Sequence, residues 1–258
     1  MPHIPSEHLQ SIATLYGPHP KSGALHPQGT SFLVDWRDDI TDQPSTYLVS
    51  CDHCYSTTHV RFAHEDLIEL DKTEWKKEPS GSDIMAMDVT EILPASLSKY
   101  TFVNLAVRIG MHDRGLSSDV GDEIYLLGLH ADENDAGNGH PRARFGNISA
   151  WADPNYPIEQ GNRHAGQSHI GDMRSRGGFS GSPVFAYRES DDWNDSPRPR
   201  LLGVHSGQFK ERIPVAGLQE TYATLPSSLT IIVPAWNLEF IETDADFARC
   251  RHLRNQSS

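Results

Sequence analysis

Short apolar runs separated by turn residues recur along most of this chain, and almost no long helical pattern accompanies them. The runs that predict strands lie at 30–36, 46–50, 58–62, 84–89, 123–128, 143–148, 184–186, 201–205 and 230–234. The first two flank the polar stretch 37–45 and are typical of a β-hairpin. Many short strands with turn signals indicate a barrel or a sandwich. The sequence therefore predicts an all-β fold.

Helical signals are confined to the two ends of the chain. Residues 7–16 place apolar side chains on one helical face, and Gly17 with Pro18 ends that pattern, so a short helix or an extended arm is expected. The segment 236–241 is the second helical candidate.

Near mid-chain, the polar and Gly-rich stretch 130–140 marks an expected crossing between two halves. Its acids lack the register of an EF-hand loop, which favours a solvated loop over a calcium site.

Charge and cysteine content limit the partners and the compartment. The chain carries 22 Lys and Arg against 35 Asp and Glu, a formal net charge of -13, which disfavours nucleic acid or an anionic membrane surface as the main partner. No apolar run of about 18 residues occurs, and the first residues lack a secretory pattern. Three cysteines do not make a disulfide framework. These features predict a cytoplasmic protein.

The stretch 177–185, Gly-Gly-Phe-Ser-Gly-Ser-Pro-Val-Phe, places one serine among glycines directly before a strand candidate. Glycines allow a strained turn that holds the Ser180 hydroxyl outward. An acyl-transfer nucleophile needs that exposure, together with neighbouring backbone N–H groups that can face an oxyanion. An ordinary Gly- and Ser-rich loop has the same composition, so this stretch alone leaves both interpretations open.

A serine hydroxyl becomes a nucleophile when a base accepts its proton, and histidine is the usual base near neutral pH. Among the 14 histidines, His53 stands out because it directly follows the strand candidate 46–50, where a sheet can position it. A polar residue that begins a loop is the other interpretation. His164 and His169 lie in a polar stretch without metal-ligand spacing, and no role is predicted for them.

Five sequence blocks come in the chain order His, Asp, Ser: 29–34, 47–54, 82–89, 178–185 and 202–207. Together they resemble the successive motifs of trypsin-like (chymotrypsin-fold) serine peptidases, and most closely the bacterial, intracellular branch with its glutamyl-endopeptidase-like and HtrA-like members. The resemblance implies two six-stranded antiparallel β-barrels with the active site in the cleft between them. It divides the chain into an N-terminal arm or short helix (1–28), a first barrel (29–135), a second barrel (136–235) and a C-terminal helix and tail (236–258).

The resemblance also implies a catalytic triad and an oxyanion hole. Ser180 is then the nucleophile, His53 the general base, and Asp83 the carboxylate that holds the imidazole tautomer. The backbone N–H groups of Gly178 and Ser180 form the oxyanion hole. Two other acids, at positions 71 and 88, are available, but only Asp83 immediately precedes the apolar run as the family's carboxylate does. No metal or organic cofactor is implied.

Two positions depart from the secreted members of the family. Phe179 stands where those members carry an aspartate that pairs with a freed N-terminal amine, so activation by cleavage is not expected. Cys54 matches a half-cystine of those members, yet its partner position falls near Gln28, which predicts a reduced, packed thiol. As a metal pair, Cys51 and Cys54 need two further ligands, and the nearby sequence does not provide them.

Substrate binding is placed by the resemblance at Arg174, His205, Ser206 and Gly207. Arg174 falls near the base of the pocket, where an acid gives trypsin its preference, so a preference for Arg or Lys is not expected. The His205 imidazole can donate to a carboxylate or amide oxygen, and Arg174 adds charge, so we expect a preference for Glu or Gln before the scissile bond. A strand-end histidine bonded to backbone is the alternative interpretation of His205.

These features predict a serine endopeptidase that acts on protein or peptide substrates. The alternative is a catalytically inactive protease-fold module that binds a peptide or protein in its cleft. By analogy with small bacterial peptidases, a regulatory protein partner that orders the loops around 160–178 is a further expectation. An esterase on an α/β-hydrolase sheet disagrees with the chain order and with the lack of alternating helices.

Overall fold

The computed structural model describes residues 4–37, 44–63, 65–94, 97, 103–105, 108–114, 118–129, 141–174, 177–187, 199–214 and 222–257. Its strands are β1 Ile12–Pro18, β2 Leu25–Arg37, β3 Pro44–Ser50, β4 His59–Phe62, β5 Ile68–Glu69, β6 Lys76–Lys77, β7 Met85–Asp88, β8 Val103–Asn104, β9 Glu123–Gly128, β10 Arg142–Ala150, β11 Ile158–Glu159, β12 Ala165–Gly166, β13 His169–Asp172, β14 Pro183–Tyr187, β15 Arg200–Pro214 and β16 Tyr222–Pro234. Its α-helices are α1 Ser6–Gln10, α2 Phe240–Thr243 and α3 Ala245–Ser257, and short 3-10 helices lie at Asp52–Cys54, Lys72–Glu74 and Ala235–Glu239. The all-β prediction is confirmed.

The first half of the molecule is a sheet of eight strands. Seven of them follow the order β5-β4-β1-β2-β3-β7-β6, and β8 pairs in parallel with β2. The hairpin predicted from the sequence is β2 with β3, in a register that places Phe32 opposite Val49. Over the described residues the two ends of this sheet do not pair with each other. The end strands β5 and β6 are only two residues long, which leaves few backbone groups to join the edges into a barrel.

The second half is a closed barrel of six strands in the order β10-β13-β16-β15-β14-β9. All of its strand pairs are antiparallel, and β15 with β16 forms a long ribbon that places His205 opposite Ile232. Closure removes exposed sheet edges. An apolar cluster that includes Leu126, Phe179 and Val184 lies among these strands.

Of the short helix or extended arm expected over 7–16, the helix reaches only to Gln10. Helix α1 ends there, and the chain continues as β1, which lies between β2 and β4 and places Ile12 opposite Phe32. Apolar residues in this segment fit a helical face, but they also fit a strand that is buried on both sides. Six of the seven β1 residues are buried, so pairing within the sheet decides the conformation.

The C-terminal helices pack on the first sheet. The Phe247 ring of α3 lies edge-on to Tyr47 of β3, with ring centroids 5.0 Å apart. On the same helix, buried Arg251 donates to the Tyr47 hydroxyl at 2.7 Å and to the backbone carbonyls of Ile241 and Glu242 at 2.8 Å. The helical prediction at 236–241 matches a 3-10 helix that leads into α2.

The crossing predicted at 130–140 lies outside the described residues. Among the described helices, none has both the length and the apolar character that a membrane-spanning helix requires.

Candidate active site

His53 and Asp83 meet where two neighbouring strands end. Strand β3 pairs with β7, with Ser50 opposite Met85, so residues that follow β3 and precede β7 lie at one end of the sheet. His53 Nδ1 lies 2.7 Å from Asp83 Oδ2, and the His53 backbone N–H donates to Asp83 Oδ1 at 3.0 Å. Because Nδ1 is committed to the carboxylate, Nε2 is the ring nitrogen left to act on a nucleophile.

Burial and pairing together set the protonation of this pair. Burial alone raises the pKa of Asp83, but hydrogen bonds and charge from His53, with the Ser206 hydroxyl, hold that pKa below its ordinary value. Burial alone lowers the pKa of His53, and the hydrogen bond to Asp83 raises it above the ordinary value. A raised pKa favours the imidazolium that forms when the ring accepts a proton.

The two competing acids have other partners. Asp71 caps a 3-10 helix and accepts from the backbone N–H of Thr73 at 2.9 Å. Asp88 pairs with Arg254 of α3 at 2.9 Å. Of the three acids weighed from the sequence, Asp83 is the one that contacts His53.

Ser180 lies on a turn that two glycines make possible. Gly178 and Gly181 have φ angles of 95° and 86°, in the left-handed region that favours glycine. A side chain on Gly181 would also collide with the Thr30 carbonyl and the Ser50 hydroxyl. The Gly181 N–H donates to the carbonyl of His205 at 2.9 Å, which ties the turn to β15.

Thr30 of β2 holds this turn from the first sheet. Its hydroxyl donates to the Gly178 carbonyl at 2.7 Å, and its backbone N–H donates to the Ser180 carbonyl at 2.8 Å. The backbone N–H groups of Gly178 and Ser180 form no hydrogen bond with the described residues. With both carbonyls held and both N–H groups open, the turn has the donors that an oxyanion hole requires.

Phe179 holds the same turn from the barrel. Its side chain is 0% exposed and belongs to the barrel's apolar cluster. The Arg144 guanidinium lies 5.6 Å from the ring centroid, and a side chain on Gly128 would collide with the ring. Apolar packing thus stands where secreted members of the resembled family use an ion pair.

Ser180 and His53 are not joined by a hydrogen bond within the described part of the chain. The His53 side chain is 27% exposed, so part of it remains accessible to solvent. Hydrogen bonds between a nucleophile and its base are often long or misaligned before a substrate binds. The structure therefore brings His53 and Asp83 together, and among the described residues Ser180 has no hydrogen bond to His53.

Ser206 occupies a different place from the one expected. The sequence analysis assigns it to substrate binding, but its side chain is buried, and its hydroxyl donates to Asp83 Oδ2 at 2.5 Å. The same hydroxyl accepts from the Gly161 N–H at 2.8 Å. The hydroxyl is therefore engaged on both sides, and the predicted role of Ser206 in substrate binding would have to come from its backbone. Gly207, the next residue, has open space where a side chain would lie.

The two remaining pocket candidates differ in exposure. Arg174 follows β13 and is exposed. His205 is 2% exposed on β15, and burial, with a smaller effect from the charge of His53, lowers its pKa to about 4. At neutral pH its imidazole is uncharged, and the Phe179 backbone hydrogen-bonds to it. Of these two residues, Arg174 is the cation that a substrate can reach from solvent.

One cluster of potential metal ligands involves the same pair. Ligand atoms of Cys51, His53 and Asp83 lie within 4.8 Å of one another. Cys51 is fully buried and donates to the His205 carbonyl at 3.1 Å, and burial together with the charge of Asp83 raises the pKa of its thiol. Metals bind the thiolate, so a raised pKa favours the protonated thiol and the His–Asp hydrogen bond over a metal centre. Cys54 is a free, buried thiol 4.0 Å from the Gln28 carbonyl.

Three residues at the site were given no role from the sequence. Thr30 holds the serine turn, Gln160 accepts from the backbone N–H of Asp83 at 2.7 Å, and Gly161 lies against the His53 ring. Gln160 is 77 residues from Asp83 along the chain, and no local spacing links the two. In the sequence, the one local feature near this contact is Gly161, a glycine within a polar stretch.

No protein-family model matches the chain, and no curated protein matches it. Among solved structures, the chain is similar to the Rv3671c protease of M. tuberculosis in its active form, with 14% sequence identity and a TM-score of 0.49. The similarity covers 90% of this chain and 79% of that one. At this level the likeness assigns no role to any residue of this chain.

Proposed function

We propose that the protein is a trypsin-like serine endopeptidase that cleaves peptide bonds through an acyl-enzyme. The observation that carries the proposal is the buried Asp83 carboxylate bonded to His53 Nδ1. It is supported by Ser180 on a glycine turn whose flanking backbone N–H groups are open. A base, an orienting acid, a nucleophile and oxyanion donors are the set that acyl transfer requires.

In this mechanism the Ser180 hydroxyl oxygen attacks the scissile carbonyl carbon while His53 Nε2 accepts the hydroxyl proton. Asp83 stabilises the resulting imidazolium, and the N–H groups of Gly178 and Ser180 receive the negative oxygen. The imidazolium then protonates the leaving amine, and an ester to Ser180 remains. His53 then takes a proton from water as the water oxygen attacks the ester carbonyl carbon. The imidazolium returns that proton to the Ser180 oxygen as the acid is released.

Within this proposal, the residue before the scissile bond is Glu or Gln. Exposed Arg174 supplies a charge for a carboxylate or a donor for an amide oxygen, whereas the single N–H of the buried, neutral His205 imidazole is engaged by the Phe179 backbone. Digestion of a peptide library, read by mass spectrometry, measures the preference. Cleavage after Arg, Lys or aromatic residues would contradict the specificity and leave the proposed chemistry intact.

A second function is favoured by one observation. Because Ser180 and His53 are not bonded within the described residues, the cleft also suits an inactive module that holds a peptide or protein. Such a module needs the cleft and not the chemistry.

Covalent labelling by a fluorophosphonate separates the two functions. We expect the wild-type protein to be labelled, and Ser180→Ala and His53→Ala to lose labelling. Ser182→Ala is the matched control, because the Ser182 hydroxyl is buried and has no hydrogen-bond partner among the described residues. Absence of wild-type labelling at every pH tested would favour the binding module.

A further inference from the structure

A small hairpin from the second half of the chain reaches the acid of the first half. Strands β11 and β12 pair only with each other, with Ile158 opposite Gly166. Two backbone hydrogen bonds close their turn: the Gln160 N–H donates to the His164 carbonyl at 2.8 Å, and the Arg163 N–H donates to the Gln160 carbonyl at 2.9 Å. Arg163 has a φ of 68°, which fixes a tight reversal at this point.

The Gln160 side chain is 3% exposed, and every polar atom of its amide has a partner. Its Oε1 accepts from the Asp83 backbone N–H at 2.7 Å, while its Nε2 donates to the Gln167 carbonyl at 3.2 Å and to the Ser168 hydroxyl at 3.1 Å. Since a backbone N–H can only donate and a carbonyl can only accept, these partners fix the orientation of the amide. Gln160 therefore holds the peptide group from which the Asp83 side chain projects.

The next residue lies against the base. A side chain on Gly161 would come within 2.6 Å of His53 Cε1 and Nδ1, so the hairpin backbone packs against the imidazole edge. The Gly161 N–H also donates to the Ser206 hydroxyl, which in turn donates to Asp83. The hairpin thus contacts the pair at three points: the Asp83 backbone, the Asp83 carboxylate through Ser206, and the His53 ring.

Asn162 anchors the same turn to the first half. Its Nδ2 donates to the Gly81 carbonyl at 3.0 Å, two residues before Asp83. The His164 ring lies beside Gly81, where an added side chain would come within 3.1 Å of Nδ1. The turn is therefore fixed to the segment that carries the acid, and a rigid support of this kind can define catalytic geometry.

We propose that Gln160 is a positioning residue that sets the geometry of the His53–Asp83 pair across the two halves of the molecule. The expected effect of Gln160 on reaction rate rests on the proposed peptidase function. Its effect on the His53 ring can be measured without any activity. Gln160 acts through Asp83 and contacts no reacting atom.

Two substitutions at one position test this role. Gln160→Met keeps the length of the side chain and removes the acceptor, whereas Gln160→Glu keeps an acceptor for the Asp83 N–H and adds negative charge. We expect Gln160→Met to slow fluorophosphonate labelling by about 10-fold or more, because a small misplacement of the reacting groups can cost up to about 100-fold in rate. Gln167→Ala is the matched control, because only the backbone carbonyl of Gln167 joins the network and the substitution keeps it.

The pH titration of the His53 ring, followed by NMR, distinguishes positioning from general destabilisation. A looser pair gives His53 less support from Asp83, so Gln160→Met should lower the midpoint, while Gln160→Glu should hold or raise it. An unchanged midpoint in a folded Gln160→Met protein, or a shift in the same direction in both variants, would overturn the proposal. If the wild-type protein is never labelled, the peptidase assignment fails, and the NMR midpoints still decide the role of Gln160.

Discussion

The two halves of the molecule differ in how the edges of their sheets are paired. The second half closes its six strands into a barrel and has a core of its own, whereas the first half is a sheet that stays open over the described residues and packs against the C-terminal helices. Ser180 is thus carried by the half that is closed on itself. His53 and Asp83 lie on the half that depends on contacts from elsewhere in the chain.

This difference indicates how the site is kept in order. Several contacts reach the first half from the rest of the chain, among them α3 through Arg251, the β11–β12 hairpin through Gln160, β15 through Ser206, and the serine turn through Thr30. A change in the barrel should therefore disturb the pair through contacts of this kind. A change in the open sheet should disturb the pair directly.

The largest expected effect is on the acid itself. Asp83→Asn keeps the shape of the side chain but no longer holds the imidazole in the required tautomer, so the rate of labelling or hydrolysis should fall by about 10,000-fold. In the wild-type protein the hydrogen bond to Asp83 raises the pKa of His53 above its ordinary value of 6.5. Since only the neutral ring can accept the serine proton, activity should be lost as the pH falls through that raised pKa. In the variant that loss should move to lower pH.

Rates measured across pH test this directly. Asp88→Asn is the control, since Asp88 is an acid of the same sheet that pairs with Arg254. Retention of more than a tenth of the wild-type rate in Asp83→Asn would contradict the assignment of Asp83.

The sequence predicted those parts of the molecule that local pattern determines. Strand β9 matches its predicted bounds, and the β2–β3 hairpin follows from two alternating runs and a polar turn. The glycines around Ser180 likewise indicate the strained turn, since two of them adopt the left-handed conformation. The strand and the turn are both determined by residues that lie close together in the sequence.

The parts that were missed depend on contacts between distant residues. The segment 12–16 satisfies a helical pattern, and only its place between β2 and β4 makes it a strand. The resemblance places Ser206 at the substrate, but nothing near Ser206 in the sequence indicates the bond of its hydroxyl to Asp83, 123 residues away. The support of Asp83 by Gln160 has the same cause. A single sequence contains no spacing signal for such pairs.

A smaller effect is expected where α3 meets the first sheet. Arg251→Met keeps the length of the side chain but leaves the Tyr47 hydroxyl and the α2 carbonyls without their donor, which should lower the free energy of unfolding by about 2 to 4 kcal/mol. Hydrogen exchange should rise in peptides of β2 and β3 before it rises in peptides of β14 and β15.

The control for this substitution lies on the same helix. Among the described residues, Arg249 forms an ion pair with Asp246 alone, and its side chain is 70% exposed. Arg249→Met should therefore leave hydrogen exchange unchanged. If Arg251→Met raised exchange equally in both halves, the open sheet would be no more dependent on α3 than the barrel is.

The stability of the barrel should depend on pH through one buried histidine. His169 is 0% exposed between Trp151 and Trp236, and burial lowers its pKa to about 3. Below the ordinary value of 6.5 the unfolded chain binds a proton that the folded barrel does not, so stability falls as the pH falls. The loss from His169 amounts to about 2 kcal/mol near pH 5.

Urea unfolding at neutral pH and near about pH 5 measures this loss. His169→Asn keeps an acceptor for the Ala152 N–H and should remove the His169 part of the pH dependence. Exposed His252 on α3 provides the control, and His252→Asn should keep the wild-type dependence. Equal pH dependence in wild type and His169→Asn would mean that the barrel tolerates the charged ring.

The smallest expected effect concerns the exposed counterpart of the Arg251 contact. Lys76 of β6 pairs with Asp246 of α3 at 2.6 Å, but the two side chains are 31% and 48% exposed. Water and salt screen such a pair, so Lys76→Met should change the melting temperature by at most about 2 °C, and added salt should erase the difference. Both contacts join α3 to the first sheet, and burial is what separates them. A melting shift in Lys76→Met as large as that in Arg251→Met would show that α3 is held by its exposed charges, and the dependence of the open sheet would then lie at its surface.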